Sequence, residues 1–545
     1  MNINERNKIQ KKLLAPSFDG AVPSELAADY ILPDTYPDVK KILRVRARPM
    51  LISRYVQGRQ LEYTGAVDYI VVFCAEEVGE DGSPRPDTLH AVHFAGDFGG
   101  TLNELDDLDQ CEICVTPRIA ACSARLQNPR KLSIKSTVMT DVKLAKFIPT
   151  QPKIDGSLTL EEEMQLERLT ETRPTLLEKA FTAEPSRISE NLEPDASQPA
   201  IDQIITCDAD IHFHEAKPMK GADGFTVVLK GEALIDCIYK AQSEPGDYRS
   251  FTRKIPLSQI VSADEYAEFF ADANQDTLCA SAVGNVTELN AAVGENGYGE
   301  RRVLELDMTY DVGIKLCADS DVPLVRDVYS VERDSECEMR PLELSCLGKL
   351  ISANFSVGDG VSRAELKLPE SASIIDAQAE VSMNNASVER GRAQLTGEAA
   401  VNCILAAGDG NFLSADFTLP VKCELAVGDV REPIAFACDC TVSDMRARLD
   451  PTRLCCDFEV SLNAALMQKS RLETVSAVHI AKDKRPAAAG TASMTLCYPS
   501  AGESLWQIAK RYNTTTGAIE AFNRELGDMP HVILIPAGRG VSKIM

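Results

Sequence analysis

Histidine and tryptophan are nearly missing from this chain, with six and one among 545 residues. Six scattered imidazoles give little support for a nucleophile–base pair or a histidine-built metal centre. A phosphate loop, a G-x-S-x-G elbow, an H-E-x-x-H helix and a dinucleotide fingerprint are all lacking, and Gly294, Gly297 and Gly299 stand in the wrong order for the last. The expectation is a non-enzyme without cofactor or bound metal. Long apolar runs are lacking too. The longest, Tyr69–Ala75, is far too short to span a bilayer. The opening MNINERNKIQKKLLAPSF holds no apolar stretch of signal-peptide length, so membrane insertion is not expected and a cytoplasmic location is. Positive charge is in deficit, 57 Lys and Arg against 82 Asp and Glu, for a net charge of −25. That balance argues against binding nucleic acid or an anionic membrane surface.

What is present is ordinary globular composition, 44% hydrophobic and 26% charged, in a length suited to three or four domains. The 17 cysteines are scattered singly along apolar stretches, and their odd number leaves at least one without an intramolecular partner. They are expected as free thiols, not a disulfide framework. Cys111-x-x-Cys114 looks like half a zinc site, but the alternation of Cys111–Arg118 points residues three apart to opposite strand faces. Cys438-x-Cys440 and Cys455-Cys456 read as structural thiols as well. His212-x-His214 shares one strand parity with no third ligand nearby in sequence. The acidic stretch Glu104–Asp109 lacks the glycine and spacing of a calcium loop and reads as solvated.

Three segments align around a glycine: LEYTGAVDYIVVF (Leu61–Phe73), VVLKGEALIDCIY (Val227–Tyr239) and AQLTGEAAVNCIL (Ala393–Leu405). Gly65, Gly231 and Gly397 are 166 residues apart each time. Apolar residues keep one parity in each: Leu61, Tyr63, Val67, Tyr69, Val71 and Phe73 in the first copy. Alternation of this length predicts a half-buried strand, and the central glycine a bulge or bend. A second alternating strand closes each copy, over Leu132–Leu144, Leu304–Leu316 and Leu454–Leu466. Asn128-Pro129 and Asp450-Pro451 mark turns before it.

The expected fold is mainly β and multidomain: three tandem β-sandwich-like domains followed by a small α+β (βααβ) domain. The boundaries are 22–150, 199–318 and 342–481 for the β-domains, read as beads rather than a stacked solenoid, and 494–540 for the last. Between them, 151–198 is expected as a helical and polar linker, with Leu158–Phe181 rich in helix formers and Pro174 splitting it. Residues 319–341 and 482–493 are expected as further linkers.

The last segment, YPSAGESLWQIAKRYNTTTGAIEAFNRELGDMPHVILIPAG (Tyr498–Gly538), has capping-box spacing at Ser504 and Gln507. Leu505, Ile508, Ala509 and Tyr512 share one helical face. From Pro486 onward the charge is about +1, against −26 on the remainder. This segment resembles a LysM domain, most closely in GESLWQIAKRY. The family usually carries Ile-x-x-Gly-Gln-x-Leu before its final strand, whereas GDMPHVILIP is shorter and lacks that glycine. The repeated strand–glycine–strand unit and the opening LPDTYPDVKKILRV (Leu32–Val45) resemble the SPOCS domains of spore-coat-associated proteins. Pro199, Ile201, Ile204 and Ile205 fall like Pro37, Val39, Ile42 and Leu43.

SPOCS-type domains followed by a LysM domain resemble a family of clostridial spore-coat morphogenetic proteins. That resemblance implies an assembly scaffold in the mother-cell cytoplasm at the forespore surface, with a coat-basement ATPase and other coat proteins as partners. The LysM segment would dock the ATPase. The alternative it carries is weak binding of peptidoglycan or N-acetylglucosamine. By position in the LysM pattern, Gly502, Glu503, Ser504, Asn523, Met529 and His531 are the candidate partner-binding residues. Trp506 joins them as an interface anchor, at the edge of its helix's core face.

Overall fold

In the computed structural model the described residues run from 12 to 536, except 77–85, 104, 106, 109–110, 156–157, 159–162, 164, 222–223, 244–245, 431–432, 486–493 and 524–531. Strands hold 75% of the described residues and helices 4%, so the fold is mainly β, as expected. The first copy is built from β1 (Lys12–Ile31), β2 (Val39–Gln57), β3 (Gln60–Ala75), β4 (Thr88–Leu102), β5 (Cys111–Asn128) and β6 (Lys131–Pro149). They form two antiparallel sheets, ordered β1-β6-β5 and β2-β3-β4. A short β7 (Lys153–Asp155) follows.

The same order recurs. The second copy comprises β8 (Glu167–Thr182), β9 (Ser186–Leu192), β10 (Ile201–Gly221), β11 (Gly224–Ala241), β12 (Tyr248–Ser262), β13 (Cys279–Gly294) and β14 (Val303–Tyr329). Here the two sheets join where β10 meets β13. The third comprises β15 (Arg333–Ser362), β16 (Ser373–Glu389), β17 (Arg392–Ala406), β18 (Phe412–Ala426), β19 (Ile434–Leu449) and β20 (Arg453–Lys484). Its sheets are β15-β20-β19, with β7 parallel to β20, and β16-β17-β18. Each copy owns one large apolar core, filled by the alternating faces read from the sequence.

The chain joining the copies differs from expectation. Most of 158–181 is strand β8, not helix, and β9 also lies within 151–198. Both pair with β14, and Leu176 and Leu177 are buried. Pairing and burial thus override helix propensity, a weak prior. Pro174 sits opposite Asp321 in β8, an outer strand of its sheet, the kind of strand in which proline is tolerated. Residues 319–341 likewise belong largely to the ends of β14 and β15. Of 482–493, residues 486–493 lie outside the described residues.

Each repeated glycine answers a bulge on the neighbouring strand, not on its own. The ladder skips one residue in β2, β10 and β16 immediately after Leu51, Phe213 and Met383, the residues opposite Gly65, Gly231 and Gly397. A Cβ on these glycines would lie 2.5, 2.1 and 2.0 Å from the carbonyl oxygens of Met50, His212 and Ser382. Only glycine fits there.

A second bulge in the same three strands skips Leu43, Ile205 and Ile375. These residues gather in one cluster with Val72, Ile238 and Ile404, drawing equivalent positions from all three copies. A bulge re-aims its side chain, and here the new direction is a shared centre. Around it, β4 lies against β10, β12 against β16 and β18 against β2. The copies therefore close a ring with approximate threefold repetition, not a row of separate beads.

Next to this apolar centre the ring is charged. Arg44 reaches Asp376 at 2.6 Å, with both side chains under 10% exposed, and donates to Asn402 at 2.6 Å. Arg46 pairs with Asp208 and, at 2.6 Å, with Asp210. Arg48 reaches Asp208 at 2.6 Å and Asp210 at 2.9 Å. All three arginines come from the first copy, and their carboxylates from the other two. The long sheets meet again in two further shared clusters, one around Leu13, Val322 and Leu342 and one around Val325, Val328 and Val478.

Candidate functional site

The C-terminal segment folds as β21 (Met494–Cys497), α1 (Leu505–Arg511), α2 (Thr516–Phe522) and β22 (Ile533–Pro536), with β21 and β22 antiparallel. The capping box forms as read: Ser504 Oγ accepts from the Gln507 N–H, and the Gln507 side chain accepts from the Ser504 N–H at 2.8 Å. Thr515 caps α2 in the same way through the Ala518 N–H at 3.0 Å. Asn513, with φ of 52°, turns the chain after α1. Cys497, Ile508, Ala509, Ile519, Ile533 and Ile535 fill the core between them.

That core is not self-contained. Tyr329, the last residue of β14, is buried within it and packs edge-on against Trp506, with ring centroids 4.8 Å apart. Its hydroxyl donates to the Thr514 carbonyl at 2.7 Å, and burial pushes its phenol well above the ordinary tyrosine range. Asp327, two residues earlier, accepts from the Trp506 indole N–H at 2.8 Å and ion-pairs with Lys510 at 2.7 Å. A segment this small buries little surface by itself, and Tyr329 adds the largest side chain to its interior. The helix α1 thus fastens the tip to the body.

Residues 500–528 match the family model described as LysM domain. Searches of the curated proteins and of the solved structures find no match to the chain. The LysM match ends before β22, close to where the sequence departs from the family pattern. The wider resemblance to SPOCS domains and spore-coat proteins gains nothing from these comparisons.

The candidate binding residues meet different fates. Gly502 is an exposed turn residue with φ of +81° and open space where a Cβ would stand. The Glu503 side chain, 13% exposed, pairs with Arg511 at 2.8 Å and accepts from the Ser500 N–H. Ser504 is committed to its cap. Trp506 is half-buried on the body. Asn523 clamps α2 to β22, donating to the Ile519 and Leu534 carbonyls at 2.7 and 2.8 Å and accepting from the Leu534 N–H at 2.9 Å. Met529 and His531 lie outside the described residues.

Sequence reading missed Asp327 and Tyr329, which stand in a segment taken for a linker. It also missed an apolar surface. Met494, Leu496, Tyr498, Phe522 and Val532 are 39–70% exposed on the tip. Leu496 stands opposite Leu534, and continuing that register sets Tyr498 beside Val532 on the same outward side of the ribbon.

Elsewhere, Cys111 and Cys114 take different partners, the Asp107 carbonyl and the Thr116 hydroxyl. His212 is buried beside Thr441 while His214 is exposed, because His214 is the residue skipped at the second-copy bulge and the strand parity breaks there. Among the described residues, no group of three or more Cys, His, Asp or Glu is placed to hold a metal ion, and no helix is long and apolar enough to cross a membrane.

Proposed function

We propose that this chain is a non-enzymatic scaffold whose ring-shaped β body presents a single LysM recognition tip, and that the tip binds N-acetylglucosamine-containing glycan. The LysM match over residues 500–528 is the observation that carries this reading. Docking on Asp327 and Tyr329 leaves Gly502 and Ser504, in the loop before α1, exposed. Co-sedimentation of the full chain with purified peptidoglycan tests it. Binding competed by N-acetylglucosamine oligomers supports the glycan reading, and a chain left wholly in the supernatant rejects it.

A second reading is a spore-coat assembly scaffold in the mother-cell cytoplasm. Its three copies would be SPOCS-type sandwich domains that recruit coat proteins, and its tip would dock a coat-basement ATPase. The exposed Met494, Leu496, Tyr498, Phe522 and Val532 favour it, since apolar and aromatic side chains suit a protein partner better than a solvated sugar. On this reading the purified ATPase is captured without competition by sugar oligomers, and Leu496→Glu abolishes capture.

A further inference from the structure

Two pairs of cysteines stand directly opposite each other across antiparallel strands of the second copy. Cys207 of β10 faces Cys237 of β11, and Cys279 of β13 faces Cys317 of β14. Opposed residues in such a ladder have Cα atoms about 4.5–5.5 Å apart, within the roughly 4.4–6.8 Å that a disulfide bridges. Neither pair needs the backbone to travel.

Access separates them. Cys237 is fully buried in the core of its copy. Cys279 and Cys317 are both half-buried, and Cys279 is the first residue of its strand, where the ladder opens into a turn. Cys279 Sγ donates to the Cys317 carbonyl at 3.3 Å, which places its sulfur over the facing residue. The interaction between the two thiols holds Cys279 below the ordinary thiol range and, with burial, holds Cys317 well above it, which suits Cys279 to attack first.

We propose that Cys279 and Cys317 are a redox-active dithiol, a site of reversible oxidation by small disulfides such as oxidised glutathione. The Cys279 thiolate attacks one sulfur of the reagent, forming a mixed disulfide and expelling one reagent thiolate. The Cys317 thiol then gives up its proton, attacks the Cys279 sulfur and expels the second. The two protons lost by the cysteines end on the two reagent thiols, so one disulfide is reduced as one is formed. The new bond ties β13 to β14 beside Asp319, whose N–H donates to Thr277 and whose carboxylate accepts from the Leu347 N–H of the third copy. Oxidation therefore stiffens the junction between the second and third copies.

The test uses the full reduced chain, exposed to oxidised glutathione while folded, then acid-quenched, alkylated, digested and mapped by mass spectrometry. A Cys279–Cys317 peptide should accumulate before any Cys207–Cys237 peptide and vanish on treatment with dithiothreitol. Cys317→Ser should trap glutathione on Cys279, while Cys279→Ser should leave Cys317 alkylatable. If Cys279 and Cys317 stay fully alkylatable while other thiols oxidise, the proposal is overturned. The wild-type map decides this even if a serine variant fails to fold.

Discussion

The indole N–H of Trp506 rests on the carboxylate of Asp327 at 2.8 Å, across 179 residues of chain. Lys510, one helical turn further on, shares the same carboxylate. A single acidic side chain near the end of a body strand thereby joins Tyr329 in fixing the orientation of the C-terminal tip. Hydrogen bonds to a charged group are worth roughly 1.5–3 kcal/mol each. Asp327→Ala should therefore release α1 from the body. Amide exchange over Leu505–Arg511 should rise while the β body keeps its unfolding midpoint. Unchanged protection of α1 would mean that Tyr329 alone holds the tip.

The glycines opposite the bulges should tolerate no side chain. Gly397→Ala drives a methyl into the Ser382 carbonyl at 2.0 Å, and overpacking of this kind costs roughly 1–3 kcal/mol. Gly502→Ala meets no atoms and bears only the left-handed backbone cost, roughly 1–2 kcal/mol. The first should lower the denaturant midpoint of the body. The second should act on the tip alone, as read by exchange of its amides.

The buried Arg44–Asp376 pair offers a double-mutant cycle across two copies. Arg44→Met strands Asp376 without its cation and should cost about 3–5 kcal/mol in chemical denaturation. Adding Asp376→Leu should recover much of that loss, because no unpaired charge then remains. A double variant as unstable as the single one would show that Arg44 acts mainly through Asn402.

Asp236 faces the charged ring, and burial pushes its carboxyl up to about 6, with Asp376 and Asp210 adding to the rise and Arg46 opposing it. The folded protein thus holds this proton more tightly than the unfolded chain does. The sign follows by linkage: the contribution of Asp236 is most favourable below about pH 4 and is lost as pH rises through about 6. Asp236→Asn keeps an acceptor for the Thr252 hydroxyl, which donates to the carboxylate at 2.7 Å. The variant should be more stable than the parent at pH 8, by about 3 kcal/mol at most, and the two should converge near pH 4. Parallel stability curves from pH 4 to 8 would place the carboxyl at its ordinary value.

Much of the fold was legible because β-strand burial is written with a period of two. The faces through Leu61–Phe73, Val227–Tyr239 and Ala393–Leu405 are buried as read. The turns at Asn128-Pro129 and Asp450-Pro451 fall between strands, and the Ser504–Gln507 cap forms. The segment Leu158–Phe181 misled because Glu, Leu and Lys favour helix locally, whereas pairing with β14 lies more than a hundred residues away. At the tip, residue types at Glu503, Ser504 and Asn523 matched a binding groove, but their side chains are engaged in an ion pair, a cap and a clamp. Trp506, expected as an interface anchor, packs within the chain against Asp327 and Tyr329.

The sequence by itself determined most strands, their buried faces and the LysM character of the tip, since each rests on residues near one another in the chain, and the recurrence of one pattern every 166 residues showed the threefold repetition. Only the tertiary structure decided that the copies share a centre, that three arginines of one copy neutralise carboxylates of the others, and that the tip is fastened to β14. Those outcomes depend on which distant surfaces meet. A bulge that turns Leu43, Ile205 or Ile375 toward a common axis leaves the alternation pattern almost unchanged, yet it sets the direction in which each copy packs.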